Sequence, residues 1–413
     1  MKTTFATVLK NKSFSKIWLS QLISTISAYM LNFILVDRIY QATNSTVAVG
    51  LLWGFFILPS IILGPFVGVF LDYLDKKKIL VFSSLIQAVV VLFYLGVNHG
   101  IWPIYTIVLL YSLCDEFFNP AISVLVPSLV GKKQLPMVNS ILLLTGQSSI
   151  VTGFLAGGLI LKLWGQSNSI FILTSVMLLL AALLAHFLDW TEPAPKKEIA
   201  ATIKELWQEL IKGYQFIKGE IKVIFPIVLL AGLQIILSIM LVLIPSFSIG
   251  LLSIDFADSS YVIILPAVLG AIVGSLITGK IIGKVLKRVL IINGLSLVGI
   301  SIFLFSFVPP FFTTPAFSGI LFAFLMGIGY ALMYIPLQIL IQENTPFDIR
   351  GRVFGTLSTL IAIATALPLL GTVTVVDIFG VRFVLACIGI GIITLAIYAA
   401  RGKYGILPTY HRS

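Results

Sequence analysis

The sequence predicts an all-α membrane protein of twelve transmembrane helices in two pseudo-symmetric six-helix bundles. Three observations predict it. Of 413 residues, 59% are hydrophobic and 10% charged, with a mean hydropathy of +1.09, which lies outside the range of soluble domains. Windows such as 17–36 and 170–188 supply the roughly 20 apolar residues that a helix needs to cross hydrocarbon, and the short alternating segments of a β-barrel are absent. Cytoplasmic loops carry an excess of Lys and Arg, and with the N-terminus inside, 24 of the 27 such residues fall on the cytoplasmic side.

The elements follow in order. The opening MKTTFATVLKNKSFSK is basic and has no apolar core with a small-residue cleavage site, so insertion is expected to begin with the first helix, near 14–40. Spans near 46–71, 78–97, 101–127, 137–163 and 168–189 complete the first bundle, 1–189. The interval 190–221 begins with the helix breaker TEPAPKKE. In it Ile203, Leu206, Trp207, Leu210, Ile211 and Tyr214 then recur at helical spacing opposite lysines and glutamates. That pattern predicts an amphipathic linker helix on the inner membrane surface. Spans near 222–249, 258–283, 287–308, 315–342, 352–377 and 380–400 form the second bundle, 222–413, and leave both termini cytoplasmic.

The halves echo one another. GVFLDYLDKKK (68–78) closes the second span and GSLITGKIIGK (274–284) the eighth, 206 residues later, while Pro120 is matched by Pro336. Such a repeat marks transporters, in which two related bundles rock about a site.

Several chemistries are excluded. Cys114 and Cys387 lie in apolar runs, and His99, His186 and His411 are scattered, so neither a disulfide scaffold nor a metal site is supported. A Walker motif and the Gly-x-Gly-Asp of intramembrane proteases are both missing. No cofactor and no enzymatic activity are expected. The net charge of +11 reads as topology and attraction to anionic membrane lipid, with no nucleic-acid partner.

Chemistry concentrates in LLYSLCDEFFNPAISVL (109–125), where Asp115 and Glu116 stand side by side inside an apolar span. An acid in hydrocarbon is turned to a cavity, paired or protonated. Adjacent helical residues point about 100° apart, so one of the two faces a cavity while the other meets a neighbouring helix. Asp37 and Arg38, towards the outer end of the first span, are either a gate or proton site, or a structural pair that snorkels to the interface. Gln21, Tyr29, Asn32, Asn119, Gln234 and Gln338 are candidates for substrate contact or for gluing helices together.

At these residues the chain resembles the major facilitator superfamily over essentially its whole length. Gly68, Asp72 and the cluster Lys76, Lys77 and Lys78 are similar to the family's signature loop, with Asp75 in place of its usual second glycine. A narrower resemblance, to the bacterial efflux branch that includes macrolide exporters and the enterobactin exporter, is carried by Phe118-Asn119-Pro120-Ala121, Leu125-Val126-Pro127 and PFDIRGRV (346–353). GFLAGG (153–158) is similar to the antiporter motif of the fifth helix, but has Phe154 where that motif has proline; Gly153 and Gly157 read equally as a packing face.

The resemblance implies the major facilitator fold and an inner latch built from Gly68, Asp72, Lys76, Lys77, Arg350 and Arg352. It implies an acid facing the cavity at Asp115; Glu116 and Asp37, read from their places in apolar spans, are the further candidate proton-coupling groups. It also implies a secondary transporter in the bacterial inner membrane, exporting small amphipathic compounds (drug, macrolide-like or siderophore) against protons. A lipid or lysophospholipid flippase and an uptake symporter are the alternatives, and a monomer is expected.

Overall fold

In a computed structural model the protein is helical throughout the described residues, which are 8–96, 100–130, 134–165, 167–190, 208, 211, 214–307, 314–346 and 350–401. Lipid offers backbone groups no hydrogen bonds, so a chain this apolar satisfies them within helices. The long helices are α1 (Lys12–Thr43), α2 (Thr46–Tyr73), α3 (Lys76–Leu92), α4 (Trp102–Leu129), α5 (Leu135–Trp164), α6 (Ser169–His186), α7 (Ile221–Val242), α8 (Leu265–Ile281), α9 (Lys287–Phe307), α10 (Pro315–Asn344), α11 (Arg350–Phe379) and α12 (Val381–Arg401). Among the described residues, eleven helices are long and apolar enough to cross a membrane. The twelfth expected span, near 352–377, falls inside the 30-residue α11, where many side chains lie outside the described set.

Two boundaries differ from expectation. The seventh span, expected as one helix over 222–249, breaks at Leu243 into α7 and a short helix Ile244–Gly250. Pro245 has no N–H to continue the ladder and starts the new helix instead. The eighth span begins as a π-helical turn, Ser260–Ile264, before α8. Most of the expected amphipathic linker, 190–221, lies outside the described residues.

The chain divides into two compact units, residues 1–43 with 51–207, and residues 44–50 with 208–413. The internal repeat is visible in the packing within each. In the first unit α1 packs on α5, and α3 on both α4 and α6. In the second, α7 packs on α11, and α9 on both α10 and α12. α2 meets α4 where Ser112 Oγ donates to the Phe55 carbonyl at 3.4 Å, and α8 packs on α10. Each pairing recurs six helices later.

Residues 44–50 group with the second unit because Asp377 of α11 caps the start of α2. Its carboxylate accepts from Ser45 Oγ at 2.8 Å and from the backbone N–H groups of Thr46 and Val47 at 3.0 and 3.3 Å. The first N–H groups of a helix have no partner inside it, and an acid at that end also complements the helix dipole.

Sidedness within a helix is clearest in α3. Phe82, Ile86, Val89 and Phe93 are exposed, while Ser83, Ser84, Gln87, Ala88 and Val91 are buried. The polar side chains point inward beside small and β-branched apolar ones, and the large exposed side chains are apolar, unlike the polar outer face of a soluble helix. Ser175 Oγ donates to the Ala88 carbonyl at 3.0 Å and Ser20 Oγ to that of Ala181 at 2.8 Å, tying α6 to α3 and to α1.

Glycines set the closest crossings. A Cβ at Gly153 would lie 2.6 Å from Tyr29 Cβ and 2.8 Å from the Ile26 carbonyl oxygen, and one at Gly157 would lie 3.1 Å from Phe33 Cβ. The two glycines therefore seat α5 on α1, which is the packing reading of GFLAGG. Between α8 and α10 the approach is closer, since a Cβ at Gly327 would fall 1.9 Å from the Ala267 carbonyl oxygen. Small residues allow such backbone contact where no hydrophobic force drives helices together.

This packing predicts that Gly327→Ala lowers the thermal midpoint of the detergent-solubilised protein, at a cost of about 1–3 kcal/mol for overpacking. Gly279→Ala on the same crossing helix α8, where no atom lies within 4 Å of the added Cβ, should leave the midpoint unchanged or slightly raised. Equal effects of the two would show that α8 and α10 do not meet this way.

Candidate functional site

The acidic pair sits midway along α4, and its two carboxylates diverge as adjacent helical positions must. Asp115 turns into the first bundle. Its carboxylate lies near the Gln87 amide of α3, Tyr29 of α1 and Tyr111 one turn away on α4. Glu116 turns to α2 instead. Ser60 Oγ donates to its Oε2, and its Oε1 lies 3.4 Å from where a Cβ on Gly64 would be.

Gln87 is fully buried. Its Nε2 donates to the Tyr111 carbonyl at 3.3 Å, so the amide links α3 to the backbone of α4. Its Oε1 and the buried Tyr111 hydroxyl have no partner among the described residues.

Tyr29 is fixed from the other side by Phe154, whose ring meets it edge-on at 5.5 Å and lies 5.9 Å from that of Phe33. The residue that departs from the antiporter pattern thus buttresses the tyrosine beside Asp115. Further along α1, Gln21 Nε2 lies 3.5 Å from Asn119 Oδ1, which brings together two residues singled out in the sequence. Asn32 is buried, and its Nδ2, like Gln21 Oε1, has no partner among the described residues. Trp18 Nε1 donates to Thr145 Oγ1 at 2.6 Å.

Asp37 and Arg38 part company. Both oxygens of the buried Asp37 accept from Gln41 Nε2, at 2.9 and 3.0 Å, one turn on in the same helix. Arg38 reaches α6, where its guanidinium lies 4.7 Å from the Phe171 ring centroid and donates to Asn168 Oδ1 at 3.2 Å. Phe171 in turn stacks on Tyr94 at 4.8 Å. Arg38 thus places a cation over a ring, and Asp37 a carboxylate against an amide.

In the second unit Gln338 Nε2 donates to the Tyr334 hydroxyl at 3.3 Å, and Tyr334 stacks on Tyr330 at 5.4 Å, a ladder up one face of α10. Gln234 of α7 has a buried Oε1 with no partner among the described residues. Gln234 and Gln338 therefore belong to the second unit, while Gln21, Tyr29, Asn32 and Asn119 belong to the first.

Of the expected gating set, the side chains of Gly68, Asp72, Arg350 and Arg352 lie outside the described residues. Asp75, which replaces the family glycine, caps α3 by accepting from Lys78 N–H at 3.1 Å. Lys76 is buried at the start of that helix and Lys77 half-buried. Among the described residues no group of three or more His, Cys, Asp or Glu side chains is placed to hold a metal ion.

Gln87, Ser60 and Gly64 were not singled out in the sequence. A glutamine between serines and valines in an apolar span is a visible signal, but its partner is not.

Comparison with known proteins agrees with this architecture. Residues 17–369 match the family model described as Major Facilitator Superfamily. An uncharacterized MFS-type transporter, YfiS of Bacillus subtilis, is 25% identical over 402 residues, covering 93% of this chain and 91% of that one. Macrolide efflux protein A of Streptococcus pyogenes is 30% identical over 130 residues, covering 30% of this chain and 31% of that one. A crystal structure of the nucleoside transporter NupG (D323A mutant) superposes with a TM-score of 0.75 at 13% identity, over 93% of this chain and 98% of that one.

The Ser60–Glu116 bond gives a prediction about stability. In a double-mutant cycle of Ser60→Ala and Glu116→Leu, followed by unfolding in detergent, the two changes should couple by about 0.5–3 kcal/mol, because Ser60→Ala alone leaves an intramembrane carboxylate short of a donor. Additive effects would show that the two side chains do not interact.

Proposed function

The chain belongs to the Major Facilitator Superfamily of transporters, and from that premise we propose that it exports small amphipathic compounds in exchange for protons by alternating access. The observation that carries the reading is Asp115, an acid in the middle of a spanning helix, neighboured by an uncharged amide and by tyrosines. Acids in that setting mark ion pathways and proton relays. A carboxyl group that takes up a proton when one face of the membrane reaches it, and gives it back to the other, supplies the coupling that a chain with no Walker motif requires.

Export is supported by similarity to macrolide efflux protein A. Amphipathic cargo is supported by polar amides in spanning helices, Gln21 with Asn119, and Gln338 beside the aromatic Tyr334–Tyr330 ladder. Glu116 takes a second role in this reading, fixing α2 to α4 through Ser60. Asp37, bound to Gln41, steadies the outer end of α1. The protein acts as a monomer in a bacterial inner membrane with both termini cytoplasmic, the orientation that the Lys and Arg distribution favours.

The test is accumulation of ethidium, rhodamine and neutral amphiphiles in proteoliposomes, with and without an imposed proton gradient. The native chain should concentrate at least one of them only when the gradient is present, and Asp115→Asn should fall to the level of empty liposomes while keeping its thermal midpoint. Full gradient-driven activity in Asp115→Asn would overturn the assignment. Movement indifferent to the gradient in both proteins would favour a facilitator or a lipid flippase.

A further inference from the structure

α2 and α4 each carry a face that a helix bathed in lipid has no reason to keep. On α2, Trp53, Phe56, Ser60 and Gly64 recur at helical spacing and are half-buried, while Leu58 and Ile62 are exposed at 37% and 56%. A turn of about 100° per residue puts the two sets on opposite sides of the helix, so the first set looks away from lipid. On α4, Glu116 is half-buried and Asn119 and Ser123 are exposed, again at helical spacing, with the exposed Leu110 and Val124 roughly a third of a turn away. Hydrocarbon offers an amide and a hydroxyl no hydrogen bonds, so this second face lines a crevice that water enters. The Ser60–Glu116 bond joins the two faces into one surface within the first unit.

Two groups on that surface are incompletely served. Glu116 accepts from Ser60 at one oxygen, and no cationic side chain among the described residues pairs with the carboxylate. A carboxylate inside a membrane without a cation is costly. Trp53 meets Phe56 edge-on at 5.9 Å, and its buried Nε1 has no acceptor among the described residues. Leucine or phenylalanine would fill that place without stranding a donor. What the indole adds is its wide π face, the best of the aromatic side chains for a neighbouring cation.

We propose that this surface binds amphipathic cations, with Glu116 holding the positive end and the Trp53–Phe56 corner the apolar body. That assignment rests on the chain being a transporter of amphipathic compounds and narrows them to cations. Phe56 and Trp53 stand four and seven residues before Ser60, roughly 6 and 10 Å along the helix axis. A fitting cargo has an ammonium or guanidinium at one end and a flat apolar body of about that length. Asn119 and Ser123, on the other side of Glu116 along α4, offer hydrogen bonds to polar groups around the charge. The adjacent acids divide the work: Glu116 faces the crevice and the cargo, and Asp115 faces the helices of its own bundle.

The test is equilibrium binding to the full chain in detergent, with no gradient. The probes are a dansyl fluorophore carrying a trimethylammonium tail and the same fluorophore with the uncharged tert-butyl tail. The native protein should bind the cation about tenfold tighter or more, from the ion pair and the cation–π contact. Glu116→Gln, which still accepts from Ser60, should abolish the preference, and Trp53→Leu should weaken both probes. Asn119→Lys, at an exposed position one turn on, tethers an ammonium within reach of Glu116 and should also abolish the preference, which keeps the test decisive if Glu116→Gln does not fold. Equal affinities in the native protein, a preference that survives both changes, or unchanged affinities in Trp53→Leu would overturn the site. Asp115→Asn should keep the preference, so loss of gradient-driven transport with the preference intact would remove the proton coupling and leave the site standing.

Discussion

Lipid supplies no hydrogen bonds, so every polar group in a spanning segment must find its partner inside the protein. The backbone meets that demand by helix formation. Side chains meet it by facing inward, which is why α3 turns Ser83, Ser84 and Gln87 to its neighbours and Phe82, Ile86, Val89 and Phe93 outward. The same demand sorts the acids. Asp37 has Gln41, Glu116 has Ser60 and Asp377 has the free N–H groups at the start of α2, while Asp115 lies near Gln87 and Tyr29. What distinguishes Asp115 is its place in the first bundle, beside a buried amide with an oxygen to spare. The functional reading grows from that local imbalance.

Close packing gives such an imbalance consequences. α1 carries Tyr29 against Asp115 on one side and against Gly153 and Phe154 on the other, with no room for a side chain at the glycine. Where helices touch backbone to backbone, a change at one side chain is passed on, because packed interiors do not deform gradually. Helix pairings recur in the second unit, and each unit has a glycine-lined close approach, α5 on α1 in the first and α8 on α10 in the second.

Much of the fold was legible in the sequence, because the lipid constraint acts on composition and run length, which a sequence displays. Helix ends fell within a few residues of expectation. Even the break at Leu243 had its cause in view at Pro245, although a long apolar run concealed it. The site was only partly legible. Asp115, Glu116, Asp37 and Gln21 stood out as polar residues in apolar spans, but a sequence does not say which helix each faces. That Glu116 meets Ser60 and Gly64, or that Asp377 caps a helix more than 300 positions earlier, depends on packing between segments distant in the chain. Phe154 counted as a departure from an antiporter pattern until its contacts with Tyr29 and Phe33 gave it a task. Gln87 was visible as a letter, and only its bond to Tyr111 and its place near Asp115 gave it meaning.

The central claim is that movement of cargo and movement of protons are one process. The most direct measurement reverses the usual arrangement. Proteoliposomes holding a pH indicator are given a gradient of a transported amphiphile, no initial pH difference and a clamped membrane potential, and the internal pH is followed. Exchange predicts protons moving opposite to the cargo, inward as it leaves and outward as it enters, in a fixed ratio to the amount transported. Protons travelling with the cargo, or cargo moving while the internal pH stays constant, would contradict the account.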